Sequence, residues 1–274
     1  MSEAGQGLKL SVVIPAHNEE GCVRSTVESL YQALVEAGIS HEILVVNDNS
    51  TDSTEEILRS LSEQLPTFRY VNNAPPNGYG FAVRRGLSSY AGDAVAIYMA
   101  DASDSPADLV AFYRRMVADG VDCVFGSRFM SGSRVIDYPW FKLVLNRLAN
   151  TFVNVLFGLG YNDVTNAFKL FRRHVIEGLN PLIAHHFNLT VELPLKAIIR
   201  GFSFSVVPNS WTNRKAGISK LKIKEMGSRY LFIVLYCLIE KWLSRGDYKR
   251  RLERAPEPAP LEPATIEKSR AITP

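Results

Sequence analysis

The chain has 274 residues, 46% of them apolar and 22% charged, enough for one sizeable core with a small appended unit and unlike a coiled coil, a collagen or a wholly disordered chain. Its net charge of +3 conceals an asymmetry, because residues 213–251 carry 11 basic and 3 acidic side chains while the rest of the chain is net acidic. Cys22, Cys123 and Cys237 are far apart and form no C-x-x-C pair, which argues against a disulfide framework or a zinc site and fits a reducing compartment.

In chain order, short β-rich apolar runs at 10–14, 42–46, 69–72, 94–99 and 123–125 alternate with helically spaced stretches such as 19–35 and 53–65. That alternation predicts a mostly parallel sheet covered on both faces, with ligands bound beyond the carboxyl ends of the strands. Beyond about residue 130 the alternation stops. A helix is expected at 140–157 with an apolar stripe through Phe141, Val144, Leu145, Leu148, Phe152 and Leu156. A further helix is expected at 189–200, a strand at 203–207 and a last helix at about 221–243. The proline-rich segment 255–274 lacks apolar periodicity and reads as disordered. No signal peptide is visible at the start. The longest apolar run, 230–239, rises about 15 Å as a helix and is too short to span a bilayer alone.

The segments after the strands are polar. Asp101 and Asp104 follow a buried-type run, where a carboxylate suits Mg²⁺ or Mn²⁺ bridged to phosphates. Asp104 or Ser105, just before Pro106, also suits a helix cap, leaving Asp101 as the functional group. Asp48 lies in an Asn, Asp and Ser cluster that equally suits a turn, with Asp52 capping the next helix. The Asn77-Gly-Tyr-Gly80 turn matches neither the dinucleotide fingerprint nor a P-loop. Arg128, Arg147, Lys169, Arg214 and Lys220 lie in segments that could meet above the sheet to hold phosphates. No histidine shows ligand or triad spacing. Nucleic-acid binding is disfavoured, because the basic segment is interleaved with aliphatic runs.

With these residues in place, the chain resembles glycosyltransferase family 2 of the GT-A fold, an α/β fold, and within it the dolichol-phosphate mannose synthases and their bacterial polyprenyl-phosphate sugar transferase relatives. The resemblance spans about residues 8 to 225. Its pieces are V-V-I-P-A-H-N-E at 12–19, N-D-N-S-T-D-S-T at 47–54, D-A-S at 101–103, G-S-R-F at 126–129, D-V-T-N-A-F-K at 163–169 and N-R-K-A-G-I-S-K-L at 213–221. The first three recur across the family, and the last three in this order belong to the polyprenyl-phosphate branch.

The resemblance implies that Pro15, Glu19, Val46 and Asp48 surround the nucleoside and that Asp101, Ala102 and Ser103 meet the ribose and diphosphate. Arg128, Arg147, Arg214 and Lys220 would meet the diphosphate or the acceptor phosphate, with Asp101, Arg128 and Arg214 as the catalytic set. Ser103 stands where the family has its second metal-binding Asp, so the Mg²⁺ or Mn²⁺ would be held by Asp101 with Asp104, or by Asp101 and the diphosphate. The implied reaction is inverting transfer of a hexose, mannose first among them, from GDP-mannose or a UDP-hexose to a polyprenyl phosphate. An anionic phosphate acceptor needs no general base. A hydroxyl-acceptor transferase would need one, with Asp163 or Glu192 as candidates, and a non-catalytic nucleotide-sugar binding protein is a third reading.

The expected organisation is a catalytic unit over 1–220, a basic amphipathic helix over 221–251 and a disordered tail over 252–274. The expected location is cytoplasmic, at the cytosolic face of a membrane, and a membrane-anchoring subunit is left open. On the last helix, Ile223, Met226, Tyr230, Ile233, Val234 and Trp242 form an apolar face flanked by lysines and arginines, suited to a headgroup layer or to packing on the catalytic unit.

Overall fold

The computed structural model describes residues 7–213 and 223–249. In chain order its elements are β1 (Leu10–Ala16), α1 (Val23–Glu36), β2 (His41–Asn47), α2 (Thr54–Gln64), β3 (Phe68–Asn72), α3 (Tyr79–Leu87), β4 (Ala94–Ile97), α4 (Pro106–Asp119) and β5 (Cys123–Ser127). They continue with β6 (Val135–Ile136), α5 (Trp140–Phe157), β7 (Lys169–Arg172), α6 (Arg173–Gly178), α7 (Leu189–Ile199), β8 (Phe204–Pro208), β9 (Trp211–Thr212) and α8 (Ile223–Leu243). Local signals explain several boundaries. Pro106 opens α4 at its first turn, and Gly120 closes it in the left-handed region. Ser53, not the expected Asp52, occupies the cap position of α2, while Asp52 just before it accepts the Thr54 amide at 3.0 Å; Ser105 occupies the cap position of α4.

Every residue of β2 is buried, as a strand covered on both faces must be. The main sheet has seven strands in the order β3-β2-β1-β4-β7-β5-β8. Neighbours run parallel except β7, which is antiparallel to both β4 and β5. The carboxyl ends of β1, β2, β4 and β5 therefore share one edge of the sheet with the amino end of β7. Alternating side chains feed two cores. Val12, Ile14, Ile43 and Val45 pack with Val23 of α1, Leu58 of α2 and Leu109 of α4. Val13, Leu44, Val46 and Val95 pack with Ala82 of α3, Val153 of α5, Val191 of α7 and Ile233 of α8. The sheet thus continues well beyond residue 130, where the sequence pattern falters.

Two helices divide their apolar side chains between core and surface. Most of the apolar stripe of α5 faces outward: Phe141, Val144, Leu145, Leu148 and Phe152 are exposed, whereas Leu156 packs on the core and Asn150, Val153 and Phe157 are buried. On α8, Ile233, Val234, Cys237 and Leu238 are buried, while Leu231, Phe232, Leu235, Ile239, Trp242 and Leu243 are exposed. Of the apolar face named from the sequence, Ile233 and Val234 pack on the catalytic unit and Trp242 is exposed, and the side chains of Ile223 and Met226 lie outside the described residues. No helix among the described residues is long and apolar enough to cross a membrane. The expected boundary at 220 and the tail over 252–274 also lie outside them.

An ion pair anchors α8. Arg200, directly after α7, binds Glu240 through Nε at 2.7 Å and Nη2 at 2.9 Å, and its Nη1 donates to the Gly178 and Asn180 carbonyls at 2.7 and 3.2 Å. Both side chains are almost fully buried. Removing one partner of such a pair strands a buried charge, so Glu240→Ala is expected to lower the unfolding free energy by about 3 kcal/mol in urea titrations. Trp242→Ala, on the exposed face of the same helix, is expected to change it by less than about 0.5 kcal/mol.

Candidate active site

The sheet edge opens into a cavity of about 730 Å³. Its floor is made by residues just beyond the strands: Glu19 after β1, Asp48 after β2, Asp101, Ser103 and Asp104 after β4, and Arg128 after β5. The segment before β7 adds Thr165 and Asn166. The facing walls come from Tyr138 and Lys142 around the start of α5, from Phe187 and Thr190 beside α7, and from Arg229 and Tyr230 of α8.

The polar cluster at 47–54 divides its work. Ser50 accepts the Asn18 amide at 3.0 Å, Thr54 accepts that of Glu19 at 2.9 Å, and Asp52 accepts that of Glu20 at 3.2 Å. These bonds latch the loop after β1 to the loop after β2. Asp48 is buried and faces the cavity with both oxygens engaged, Oδ1 by Asn73 Nδ2 at 2.8 Å and Oδ2 by the Gly78 amide at 2.8 Å. His17 donates from Nδ1 to the Asp48 carbonyl at 2.8 Å. The carboxylate therefore enters the cavity in a fixed orientation.

Beyond β4 the chain turns sharply through Ala102, whose φ of 57° lies in the left-handed region and costs an L-residue about 1 kcal/mol. Asp101 Oδ1 accepts the Ser103 amide at 3.1 Å across this turn. Asp101, Ser103 and Asp104 are all buried and all line the cavity. Burial first, and the Asp101 charge second, push the Asp104 carboxyl up to about 8. Two buried carboxylates that repel each other beside a cavity fit a hard divalent cation with oxygen ligands. No cluster of three or more metal-ligating side chains occurs among the described residues, so the remaining ligands of such a cation would be substrate oxygens, hydroxyls or water.

Arg128 is held by Asp163. Its backbone amide and Nε donate to Oδ2 at 2.9 and 2.8 Å, and Nη2 donates to Oδ1 at 2.8 Å. Asp163 is wholly buried, and the pairing raises the already high proton affinity of the guanidinium despite its burial. Nearby, the buried Lys169 donates from Nζ to the Val164 carbonyl at 3.1 Å and to that of Asn166. Burial brings its ammonium down to about 7. Glu192 is fully buried, paired with Lys196 at 2.6 Å, and accepts the amides of Ile183 and Ala184. Both carboxylates named as candidate bases are thus committed to structure.

The family model for glycosyl transferase family 2 matches residues 11–179, more than half of the chain. The chain belongs to glycosyl transferase family 2. A polyprenol monophosphomannose synthase of Mycolicibacterium smegmatis is 31% identical to this glycosyltransferase over 222 residues, which is 77% of this chain and 80% of that protein. A dolichol-phosphate mannosyltransferase of Pyrococcus furiosus is 29% identical over 225 residues, 79% of this chain and 60% of that protein. Among solved structures, glucosyl-3-phosphoglycerate synthase from Mycobacterium tuberculosis in complex with uridine-diphosphate matches with a TM-score of 0.63 at 19% identity, covering 86% of this chain and 80% of that one. The same protein in complex with Mn²⁺ and UDP-glucose gives 0.63. These likenesses agree with the GT-A fold.

The glycosyltransferase brings Pro15, Glu19, Asp48, Asp101, Ser103, Asp104 and Arg128 together on one cavity. Three expected contacts fall elsewhere. Val46 is buried under α3, where a Cβ on Gly86 would stand 3.2 Å from its Cγ2. Ala102 supplies the turn and is exposed. Arg147 donates to the Asn162 carbonyl at 2.9 Å and stacks on Phe129 at 4.7 Å, outside the cavity lining. Arg214 and Lys220 lie outside the described residues. Lys142 and Arg229 line the cavity and were missed, because neither is the only charged residue on its helix and no motif around it singles it out. Tyr79, in the glycine-flanked segment at 77–80, lines the cavity and stacks on Phe187 at 4.4 Å.

The raised Asp104 carboxyl has a thermodynamic signature. Between about 4 and 8 the native state holds a proton that the unfolded state has released, so the stability of the metal-free protein falls as pH rises through that window. Asp104→Asn is expected to flatten this fall, measured by urea denaturation in EDTA at pH 5 and pH 8. A wild-type stability that climbs by the same amount as the variant's over that interval would contradict the assignment.

Proposed function

We propose that this family 2 glycosyltransferase moves a hexose, with mannose as the leading sugar, from a nucleoside diphosphate to a polyprenyl phosphate at a membrane surface. The observation that carries the reading is one of placement. The helices that wall the carboxylate-bearing cavity, α5 and α8, also present rows of exposed apolar side chains, including Trp140, Leu148, Phe232 and Trp242. Lys241 of α8 donates to the Phe157 carbonyl of α5 at 3.0 Å, tying the two helices together. Exposed apolar rows on two linked helices suit a membrane or a partner protein. The names of the two relatives, one for polyprenol and one for dolichol-phosphate, support a lipid-linked acceptor.

In this reading Asp48 and Glu19 border the nucleoside and Asp101 the diphosphate. A Mg²⁺ or Mn²⁺ ion on Asp101 and Asp104 would neutralise charge on the departing diphosphate, and the Mn²⁺ reported with the glucosyl-3-phosphoglycerate synthase supports that class of ion. The guanidinium of Arg128, locked by Asp163, keeps N–H groups for phosphate oxygens on the cavity side. Lys142 and Arg229 face it from the opposite walls, and Arg214 and Lys220 remain part of the proposal. An acceptor phosphate oxygen forms the new bond to the anomeric carbon as the bond to the diphosphate breaks, with inversion. That oxygen is already anionic at neutral pH, so no base is required, in keeping with the engagement of Asp163 and Glu192. A membrane-anchoring subunit is compatible with the same apolar rows.

Incubation with GDP-[³H]mannose and a polyprenyl phosphate, followed by organic extraction, is expected to give labelled lipid. Asp101→Asn is expected to lower that rate by about a hundredfold or more with unfolding midpoint largely kept. Label that stays in the aqueous phase with every donor tested would reject a lipid acceptor. In vesicle sedimentation, replacing Leu148 and Phe232 together with Ser is expected to weaken binding to anionic liposomes by about tenfold or more without destabilising the fold.

A further inference from the structure

We propose that a recess under α3, separate from the reaction cavity, is a second anion site that takes the phosphoryl group of a small water-soluble ligand. The recess measures about 460 Å³ and shares no lining residue with the larger cavity. Arg84 and Arg85 both line it, together with Ser88 at the end of α3 and Asn180 from the segment after α6. Consecutive helical residues ordinarily diverge. Here Ile176, Asn180 and Leu182 line the recess with the helix, and the half-buried Arg84 and the exposed Arg85 border one hollow.

Among the described residues neither guanidinium pairs with a carboxylate. The Nη1 of Arg84 is buried and meets no acceptor, although the native state of a protein seldom leaves such a donor unsatisfied. The lining contains no Asp or Glu. Two forked cations with a spare buried donor, amide and hydroxyl neighbours and no competing acid match the oxygens of a phosphoryl group, which a guanidinium binds with two parallel hydrogen bonds. None of the exposed apolar side chains of α5 and α8 lines the recess, which favours a ligand from solution over a lipid headgroup. Asn73 lines it as well, and its side chain donates to Asp48 of the reaction cavity at 2.8 Å, so a single hydrogen bond connects the two hollows.

The test is amide NMR of the full chain during titration with inorganic phosphate at constant ionic strength. Saturable shifts are expected at Ser88, Asn180 and Leu182. In the Arg84→Gln/Arg85→Gln double variant their apparent affinity is expected to fall by about tenfold or more, while shifts at Gly78 and Ser103 in the reaction cavity and the sugar-transfer rate are kept. Ser88→Glu, which places a competing carboxylate beside the guanidiniums at an exposed position, is expected to have the same effect and serves if the double variant does not fold. Absence of a saturable response at these amides, an unchanged titration in the variants, or a response to phosphatidic acid vesicles without one to free phosphate would overturn the proposal.

Discussion

The bidentate bond between Arg128 and Asp163 holds the two halves of the cavity floor in register. Arg128 stands at the end of β5, and Asp163 precedes β7, the one strand of the main sheet that runs against its neighbours. Because β7 is reversed, its amino end arrives beside the carboxyl ends of β4 and β5, and the chain leading into it crosses the floor. That crossing needs a fixed point. A wholly buried carboxylate with three donors on it supplies one, and it lets a cation lie against the cavity without leaving its own charge unbalanced. Val164, Thr165 and Asn166 then follow in set positions, and Asn166 donates to the Gly126 carbonyl and to Asn209, closing the floor on the side of β8.

Much of this was legible in the sequence. Buried-type runs announce β1, β2, β4 and β5, and polar residues after them announce the floor, because a parallel sheet exposes its ligand-binding edge at the carboxyl ends. What the pattern could not reveal is β7. Lys169-Leu-Phe-Arg172 is four residues long with a cation at each end, too short for periodicity, and its antiparallel course depends on contacts with strands far away in the chain. The same limit explains the motif at 47–54. Composition marks it as functional or as turn material, and it is both: Asp48 faces the cavity, while Ser50, Asp52 and Thr54 bind the neighbouring loop. The resemblance puts Arg147 among the phosphate ligands, whereas its guanidinium donates to the Asn162 carbonyl and lies on the Phe129 ring, outside the cavity lining.

Helical periodicity identifies an apolar stripe but is silent on what covers it. The expected bounds of the 140–157 helix match α5, and all of its stripe but Leu156 faces away from the core. A buried amide on that helix, Asn150, explains how the inner face holds without many hydrocarbons. It donates to Thr165 Oγ1 at 2.9 Å and accepts the Thr165 amide at 3.2 Å, so polar bonding replaces part of the usual apolar packing. For α8 the two faces divide between Ile233, Val234, Cys237 and Leu238 inward and Phe232, Leu235, Ile239 and Trp242 outward. A helix apolar on both sides satisfies two environments at once, and the Arg200 to Glu240 pair decides which side is which.

One dimension of the cavity is set by a residue without a side chain. Gly80, at the start of α3, lies so close to the segment beside α7 that a Cβ there would stand 2.7 Å from both the His185 carbonyl oxygen and the His186 amide nitrogen. Backbone presses on backbone at this point, and Tyr79 next to it stacks on Phe187 to form the adjoining wall. The separation of α3 from that segment is therefore a van der Waals contact, indifferent to rotamers and hard to compress. A side chain at position 80 would have to displace backbone on one side or the other, so this contact fixes how α3 sits against the segment before α7 and, through Tyr79 and Phe187, where that wall of the cavity stands.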